Sequence, residues 1–403
     1  MQEAIGMAPA FAGVDTHKET NMLALADGLG RPIGTWEFAS DPAGYGALAD
    51  AIADASVPVG VEGTRSYGAG LVSALEERGF SVYEVVRPRR EQRRRGKTDA
   101  MDALAACENV AAGRCLPVKR LEGQVEALRW LMTEREQVVG HATQLACCLD
   151  SMLVTAPTPL RERWRGLAGA ARMRAIAASR PRGQAGQSLK RLAKRWCDAE
   201  RQAGELEAEI RAAVAGSFPR LLGAPCVGAI SAARLILAAG SNPGRMKGEA
   251  AFSMLCGTSP IPASSGKTSR HRLNRGGDRQ ANRAIHEIAR ARMAHDERTQ
   301  RYIEKKMSGG MSKREAVRCL CRYIARETFR LLTGPQEAPC DQAGLASRRK
   351  ALGVSQAQAA RATGLTSSKV GRLERLDEYH NDALEKYHAF LLEMEQKKGL
   401  DNI

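Results

Sequence analysis

Two aspartates three residues apart, Asp99 and Asp102, follow closely on a basic run, Arg93, Arg94, Arg95, Gly96 and Lys97. Thr98 stands between run and pair and is a good helix N-cap, so the helix it opens carries both carboxylates on one face. Two carboxylates on one face suit a divalent cation, and arginines just upstream suit a phosphate. The same pattern also describes an exposed acidic helix start, which the helix dipole favours by itself. Two further acids bear on the choice. Asp15 closes the apolar stretch that begins at Phe11, and Glu62 closes the one that begins at Val57. Each has a plain structural explanation, Asp15 as a turn cap and Glu62 as a partner of Arg65. Taken together, four acids at the ends or starts of elements describe a two-ion phosphodiester site, with ions about 4 Å apart serving the attacking and the leaving oxygen.

The elements that must position these acids follow from pattern. Residues 11–15 read as a short buried strand, 20–27 as a second and 32–38 as a third, with a turn at Gly28-Leu29-Gly30. Asp41 and Pro42 open a helix to about Asp54. A strand over 57–62, a helix over 66–78 and a strand over 81–86 then lead into the basic run and the helix from Thr98. Three strands followed by alternating helices and strands give a mixed α/β sheet. Asp15 and Glu62 would sit at strand ends along one edge of that sheet, where sites gather.

Two phrases in this region, Gly13-Val14-Asp15-Thr16-His17-Lys18 and Lys97-Thr98-Asp99-Ala100-Met101-Asp102-Ala103, resemble the DEDD transposases of insertion sequences. That family includes the Piv-type DNA invertases and the recombinases guided by a bridge RNA. The strand order and the set Asp15, Glu62, Asp99 and Asp102 are similar to the RuvC-like branch of the RNase H fold. The resemblance covers residues 10 to about 333. It implies that the four acids hold divalent ions, Mg²⁺ or Mn²⁺, and that a structured RNA chooses target and donor DNA by base pairing. His17, beside the first aspartate, reads as a loop residue without a chemical role, with support of Asp15 as the alternative.

Downstream the chain turns helical. Residues 121–150 and about 187–215 carry partial helical periodicity, through Leu121, Val125, Leu128 and Leu131 in the first and Leu189, Leu192, Trp196, Leu206 and Ile210 in the second. An antiparallel hairpin is expected, or a coiled coil with a partner chain. Arginines 161, 163, 165, 172 and 174 lie in the crossover and would touch a nucleic-acid backbone or form a solvated face. By resemblance this middle segment mediates assembly. Residues 221–240 read as a tight turn and an apolar helix, similar to a helix-hairpin-helix, with Cys226 where the first turn glycine is usual.

A second basic stretch follows a serine- and glycine-containing loop: Ser264, Ser265, Gly266, Lys267, Arg270, Arg272, Arg275 and Arg279. A serine hydroxyl among cations can attack phosphorus while the cations hold the charge that builds on the phosphoryl oxygens. The loop resembles the family's C-terminal transposase motif, in which Ser265 matches the nucleophile, Ser264 being its neighbour. Residues 280–332 read as two helices broken at Ser308-Gly309-Gly310.

Beyond a linker, residues 345–376 look like a repressor-type helix-turn-helix, with Ser355, Gly364 and Thr366 as caps and turn. Ser367, Ser368, Lys369 and Arg372 would face a major groove, or the module would bind protein. The domain boundaries are then 10–116 for the catalytic sheet, 117–217 for the helical assembly segment, 218–333 for the serine-loop domain, 334–344 for the linker and 345–403 for the tail.

Composition agrees with a polyanion partner. The 403-residue chain has a formal net charge of +16. Aromatics are 4 % of residues, too few for a base-stacking sheet. The ten cysteines include no CxxC and read as reduced cytosolic thiols; a prokaryotic, nucleoid-associated location is what the family resemblance implies. No apolar run of 18 residues and no signal peptide are evident, so no membrane partner is expected. The expected function is a mobile-element DNA recombinase working on donor and target duplexes as a dimer or tetramer. Two rivals are a metal-only RuvC-like nuclease or junction resolvase, and a DNA-binding regulator acting through the tail.

Overall fold

The computed structural model describes residues 8–85, 98–262, 271–274, 276–334, 336, 344–375 and 381–400. The chain divides into two compact units, one ending at Arg120 and the other starting at Leu121.

The first unit contains β1 (Phe11–Thr16), β2 (Thr20–Ala26), β3 (Pro32–Ala39), α1 (Pro42–Ile52), β4 (Val59–Val61), α2 (Ala69–Glu77), β5 (Val82–Glu84), α3 (Asp99–Ala111) and β6 (Leu116–Pro117). The strands form one sheet in the order β3-β2-β1-β4-β5-β6. β1, β2 and β3 are antiparallel neighbours, β4 and β5 run parallel to β1, and β6 pairs antiparallel with β5. The mixed sheet expected from the sequence is therefore present. β4 and β5 are shorter than read from the sequence, and β6 was not anticipated, because a two-residue strand carries no periodicity.

The two faces of the sheet differ in residue size. One buries Val14, Leu23 and Leu25 against Leu48, Ile52, Leu71 and Leu75 of α1 and α2, each worth about 2 kcal/mol in apolar burial. The other face meets α3 through Ala24, Ala26, Ala103 and Cys107. Two glycines let that helix lie close. A Cβ on Gly13 would stand 2.2 Å from the Cys107 nitrogen and 2.4 Å from the Ala103 carbonyl oxygen. A Cβ on Gly60 would stand 2.3 Å from a Val110 methyl.

The second unit opens with α4 (Gln124–Thr155), α5 (Thr158–Arg163), α6 (Gly169–Ala178) and α7 (Gly183–Ser217). The start of α4 (Val125, Leu128, Met132) packs with the end of α7 (Ile210, Val214). The end of α4 (Leu145, Leu149) packs with the start of α7 (Leu189, Ala193). The pair is therefore antiparallel. Among the described residues α4 is the one helix long and apolar enough, by length and composition, to cross a membrane. Its buried stripe (Ala142, Leu145, Leu149, Leu153) belongs to the cluster shared with α6 and α7. Some crossover arginines are engaged locally: Arg172 with Asp150, and Arg165 with Glu162.

The chain continues with α8 (Pro219–Leu222), α9 (Ala229–Ala239), α10 (Glu249–Leu255), β7 (Ile261–Pro262), β8 (His271–Arg272), α11 (Arg279–His295), α12 (Glu297–Ser308) and α13 (Lys313–Thr333). Where two helices were expected over 280–332 there are three. The extra break is at Asp296, whose side chain accepts from the Thr299 N–H and starts a new helix. Cys226, in the turn before α9, has φ +58°, the left-handed conformation a glycine adopts with less strain.

The last four helices are α14 (Leu345–Ala351), α15 (Gln356–Thr363), α16 (Ser367–Glu374) and α17 (Asn381–Leu400). Ser355 forms a capping box on α15, Gly364 ends it at φ +70°, and Thr366 caps α16. The polar centre of this group is Glu374, whose side chain is 3 % exposed. It pairs with Arg349 and accepts hydrogen bonds from Gln356 Nε2 and the Tyr387 hydroxyl. One carboxylate thereby ties α14, α15, α16 and α17 together.

Candidate metal centre at the strand ends

β1 and β4 lie side by side with Val14 opposite Val61. The Glu62 N–H donates to the Val14 carbonyl at 2.9 Å, and Thr16 Oγ1 donates to the Glu62 carbonyl at 2.8 Å. Asp15 and Glu62 therefore leave adjacent strand ends at nearly the same height. Alternation gives their direction. Gly13 and Gly60 face α3, so Asp15 and Glu62, two residues further along, face the same side.

α3 supplies the other two acids. Thr98 is extended, and its Oγ1 accepts from the Met101 N–H at 3.3 Å. The helix therefore begins at Asp99, and its first turn carries Asp99 and Asp102. The close seating on Gly13 fixes that turn relative to the strand end.

His17 lies between the two sources of carboxylate. Its backbone N–H donates to the Thr20 carbonyl at 2.9 Å, closing the β1–β2 turn. Its Nε2 is 3.2 Å from Asp15 Oδ2 and 3.3 Å from Asp99 Oδ1. A contact with both acids is more than the passive loop position expected from sequence. The signal was present as Asp-x-His at a strand end, since i and i+2 share a face.

Asp15 is buried, and its carboxyl titrates above the usual carboxylate range. Burial is the largest cause. His17 opposes it, while Glu62, Asp102 and Asp99 add to it. All three other acids are thus near enough to act on Asp15. Asp15 Oδ2 and His17 Nε2 are both buried atoms without a hydrogen-bond partner. A buried charge left in that state costs several kcal/mol. Ligand atoms of Asp15, His17 and Asp99 all lie within 4.8 Å of one another. A hard divalent cation fits this donor set, because it takes several carboxylate oxygens at once.

The remaining residues singled out by sequence divide into two groups. Arg93, Arg94, Arg95, Lys97, Ser265, Lys267, Arg270 and Arg275 lie outside the described residues. Arg272 on β8, Arg279 at the start of α11 and Arg372 on α16 are exposed, and Lys369 is half-buried. Arg272 also borders a cavity of about 720 Å³ in the second unit, with Ser259, Asn274, Arg318 and Arg322 among its lining. Sequence reading passed over Arg318 and Arg322, which only the packing of α13 brings beside β8.

Two family models match the chain. A DEDD transposase model of the IS110 type covers residues 12–156, and one described as Transposase IS116/IS110/IS902 family covers residues 219–304. No curated protein matches it. The first model takes in all four strand-end and helix-start acids, and the second takes in the serine loop. Together they span more than half of the chain. A divalent metal and DNA are what this family implies for an enzyme with such a site. The chain belongs to the IS110-type DEDD insertion-sequence transposases, the DNA-recombining enzymes of mobile elements.

Proposed function

We propose that this transposase cuts and rejoins DNA through a serine–phosphate linkage made by Ser265, with Asp15, Glu62, Asp99 and Asp102 holding Mg²⁺ or a similar ion. The observation that carries the proposal is the convergence of the other three acids on Asp15, whose buried Oδ2 has no hydrogen-bond partner. An ion bound there would withdraw charge from the phosphoryl and leaving oxygens.

In the cleavage step Ser265 Oγ gives up its proton to solvent and forms a bond to phosphorus, and the bond from phosphorus to a deoxyribose oxygen breaks. That oxygen departs with a proton. The phosphoserine ester retains the bond energy, so attack by a hydroxyl of another strand rejoins DNA without ATP. Lys267, Arg270, Arg272, Arg275 and Arg279 follow the serine in sequence and would hold the phosphoryl oxygens. Arg93, Arg94, Arg95 and Lys97 directly precede the N-terminus of α3 and would hold a DNA backbone phosphate.

The remaining assignments extend this reading. Residues 10–116 form the RuvC-like catalytic domain, 117–217 the assembly segment, 218–333 the serine-loop domain, and 345–403 a helix-turn-helix domain behind the 334–344 linker. Ser367, Ser368, Lys369 and Arg372 of α16 would enter a DNA groove. A structured RNA chooses donor and target by pairing, as the motif resemblance implies. Joining two duplexes calls for a dimer or tetramer.

The test is a trapping experiment. Protein, Mg²⁺, RNA and DNA are incubated and denatured, and a covalent DNA adduct is mapped. An adduct on Ser265, absent in Ser265→Ala and reduced about a thousandfold in Asp102→Ala, is expected. Continued cleavage by Ser265→Ala would instead identify a metal-only nuclease.

A further inference from the structure

We propose that His17 is a nitrogen ligand of the divalent ion, so that the site has a mixed nitrogen–oxygen donor set and favours Mn²⁺ over Mg²⁺. This rests on the metal-binding reading above and adds to it a residue and a selectivity.

Four observations support it. First, Asp15 is the penultimate residue of β1 and His17 the first beyond it, and the His17 ring reaches Asp99 at the start of α3. Second, the His17 backbone is held by its bond to Thr20, which fixes where the imidazole starts. Third, His17 Nε2 stands 3.2 and 3.3 Å from oxygens of Asp15 and Asp99. Neighbouring ligands on an octahedral ion with bonds of about 2.1 Å are separated by about 3 Å. Both separations from His17 match neighbouring ligands of one ion, and ligand atoms of all three residues lie within 4.8 Å of one another.

The fourth observation concerns hydrogen bonds. A protonated His17 that only neutralised the acids would donate its N–H to one of them. Yet Nε2 has no hydrogen-bond partner, and neither has Asp15 Oδ2, although both atoms are buried. The Asp15 side chain is 7 % exposed, so water does not readily complete the shell. The two atoms face each other at ion-pair distance with no hydrogen bond between them, a geometry that a shared ion would complete.

The selectivity follows from ligand chemistry. Mg²⁺ holds oxygen ligands and keeps its water, whereas imidazole suits the later divalent ions, and affinity rises from Mn²⁺ onward along the first row. One imidazole among four carboxylates therefore leaves the site able to hold Mg²⁺ but tilts it toward Mn²⁺.

The experiment uses the full chain and Mn²⁺ alone. Bound Mn²⁺ is counted by electron paramagnetic resonance, and its ligands are read from nitrogen-14 modulation of the electron spin echo. Imidazole-nitrogen modulation is expected in the wild type. His17→Gln is expected to lose it and to weaken Mn²⁺ binding about 10-fold or more, with a smaller change for Mg²⁺ measured by competition. The wild-type spectrum shows whether an imidazole binds the ion, and His17→Gln, with its fold checked by circular dichroism, shows whether that imidazole is His17. Mn²⁺ that binds in an Asp15-dependent way without nitrogen modulation, or with modulation unchanged in His17→Gln, overturns the role of His17 alone. Mn²⁺ binding that is absent, or indifferent to Asp15→Asn, overturns the metal-binding reading as well.

Discussion

Asp15 and Glu374 are both buried carboxylates, and their surroundings are opposite. Glu374 receives Arg349, Gln356 and the Tyr387 hydroxyl, so its charge is met from three sides. Asp15 has three acids for neighbours and an oxygen with no hydrogen-bond partner. The first arrangement holds helices together. The second stores an unfavourable charge that a cation would relieve. Burial alone therefore does not distinguish the two; the sign of the surrounding charge does, with His17 alone set against three acids at Asp15.

The difference can be broken from either side. The largest effect on stability is expected at Glu374. Glu374→Ala leaves the Arg349 guanidinium buried without its partner, and should weaken α14–α17 by about 4 kcal/mol. Hydrogen exchange of those helices would read the loss, and Mn²⁺ binding at Asp15 should not change. A silent substitution would mean that the network is incidental.

Next in size is Gly13→Ala. The added Cβ would meet main-chain atoms of Cys107 and Ala103, which cannot rotate away. A loss of about 3 kcal/mol is expected, and metal affinity should fall with it as α3 is pushed off. Thermal unfolding that matches the wild type would show that the helix shifts freely.

The smallest effect sharpens the contrast. Asp15→Asn should abolish metal binding yet raise metal-free stability by about 1 kcal/mol, because the burial cost and the repulsion from Glu62, Asp99 and Asp102 outweigh the attraction of His17 and are gone. The two acids should also respond to pH with opposite sign. Asp15 titrates above its unfolded value, so its contribution is full at low pH and is lost as pH rises through the folded pKa. Burial pushes Glu374 up, but its bonds from Arg349, Tyr387 and Gln356 outweigh burial and hold it below the ordinary range. Its contribution is full above the unfolded value and is lost as pH falls through the folded pKa. Hydrogen exchange followed separately in α3 and α16 across mildly acidic pH would reveal both slopes, and slopes of one sign would remove the contrast.

Much of this was legible in the sequence for identifiable reasons. A short continuous apolar run marked β1 and a loose alternation marked β2, and Thr98, Ser355, Gly364 and Thr366 marked element ends by side-chain chemistry that acts locally. The strand-end acids could be read because the strands stop where their apolar runs stop. What escaped depends on contacts distant in sequence. His17 becomes informative only when α3, more than 80 residues later, puts Asp99 beside it. Gly13 and Gly60 look like ordinary small strand residues until a helix backbone lies on them. The break at Asp296 was hidden by continuous helical periodicity on both sides of it.

The tight seating at Gly13 has an implication for how the site could adapt. Because main chain rests on main chain, the gap between strand-borne and helix-borne oxygens cannot be retuned by sliding the helix. Accommodation of an ion with a different radius would have to come from side-chain length, an aspartate exchanged for a glutamate or the reverse. The mixture of three aspartates with one glutamate is thus the adjustable part of an otherwise rigid frame.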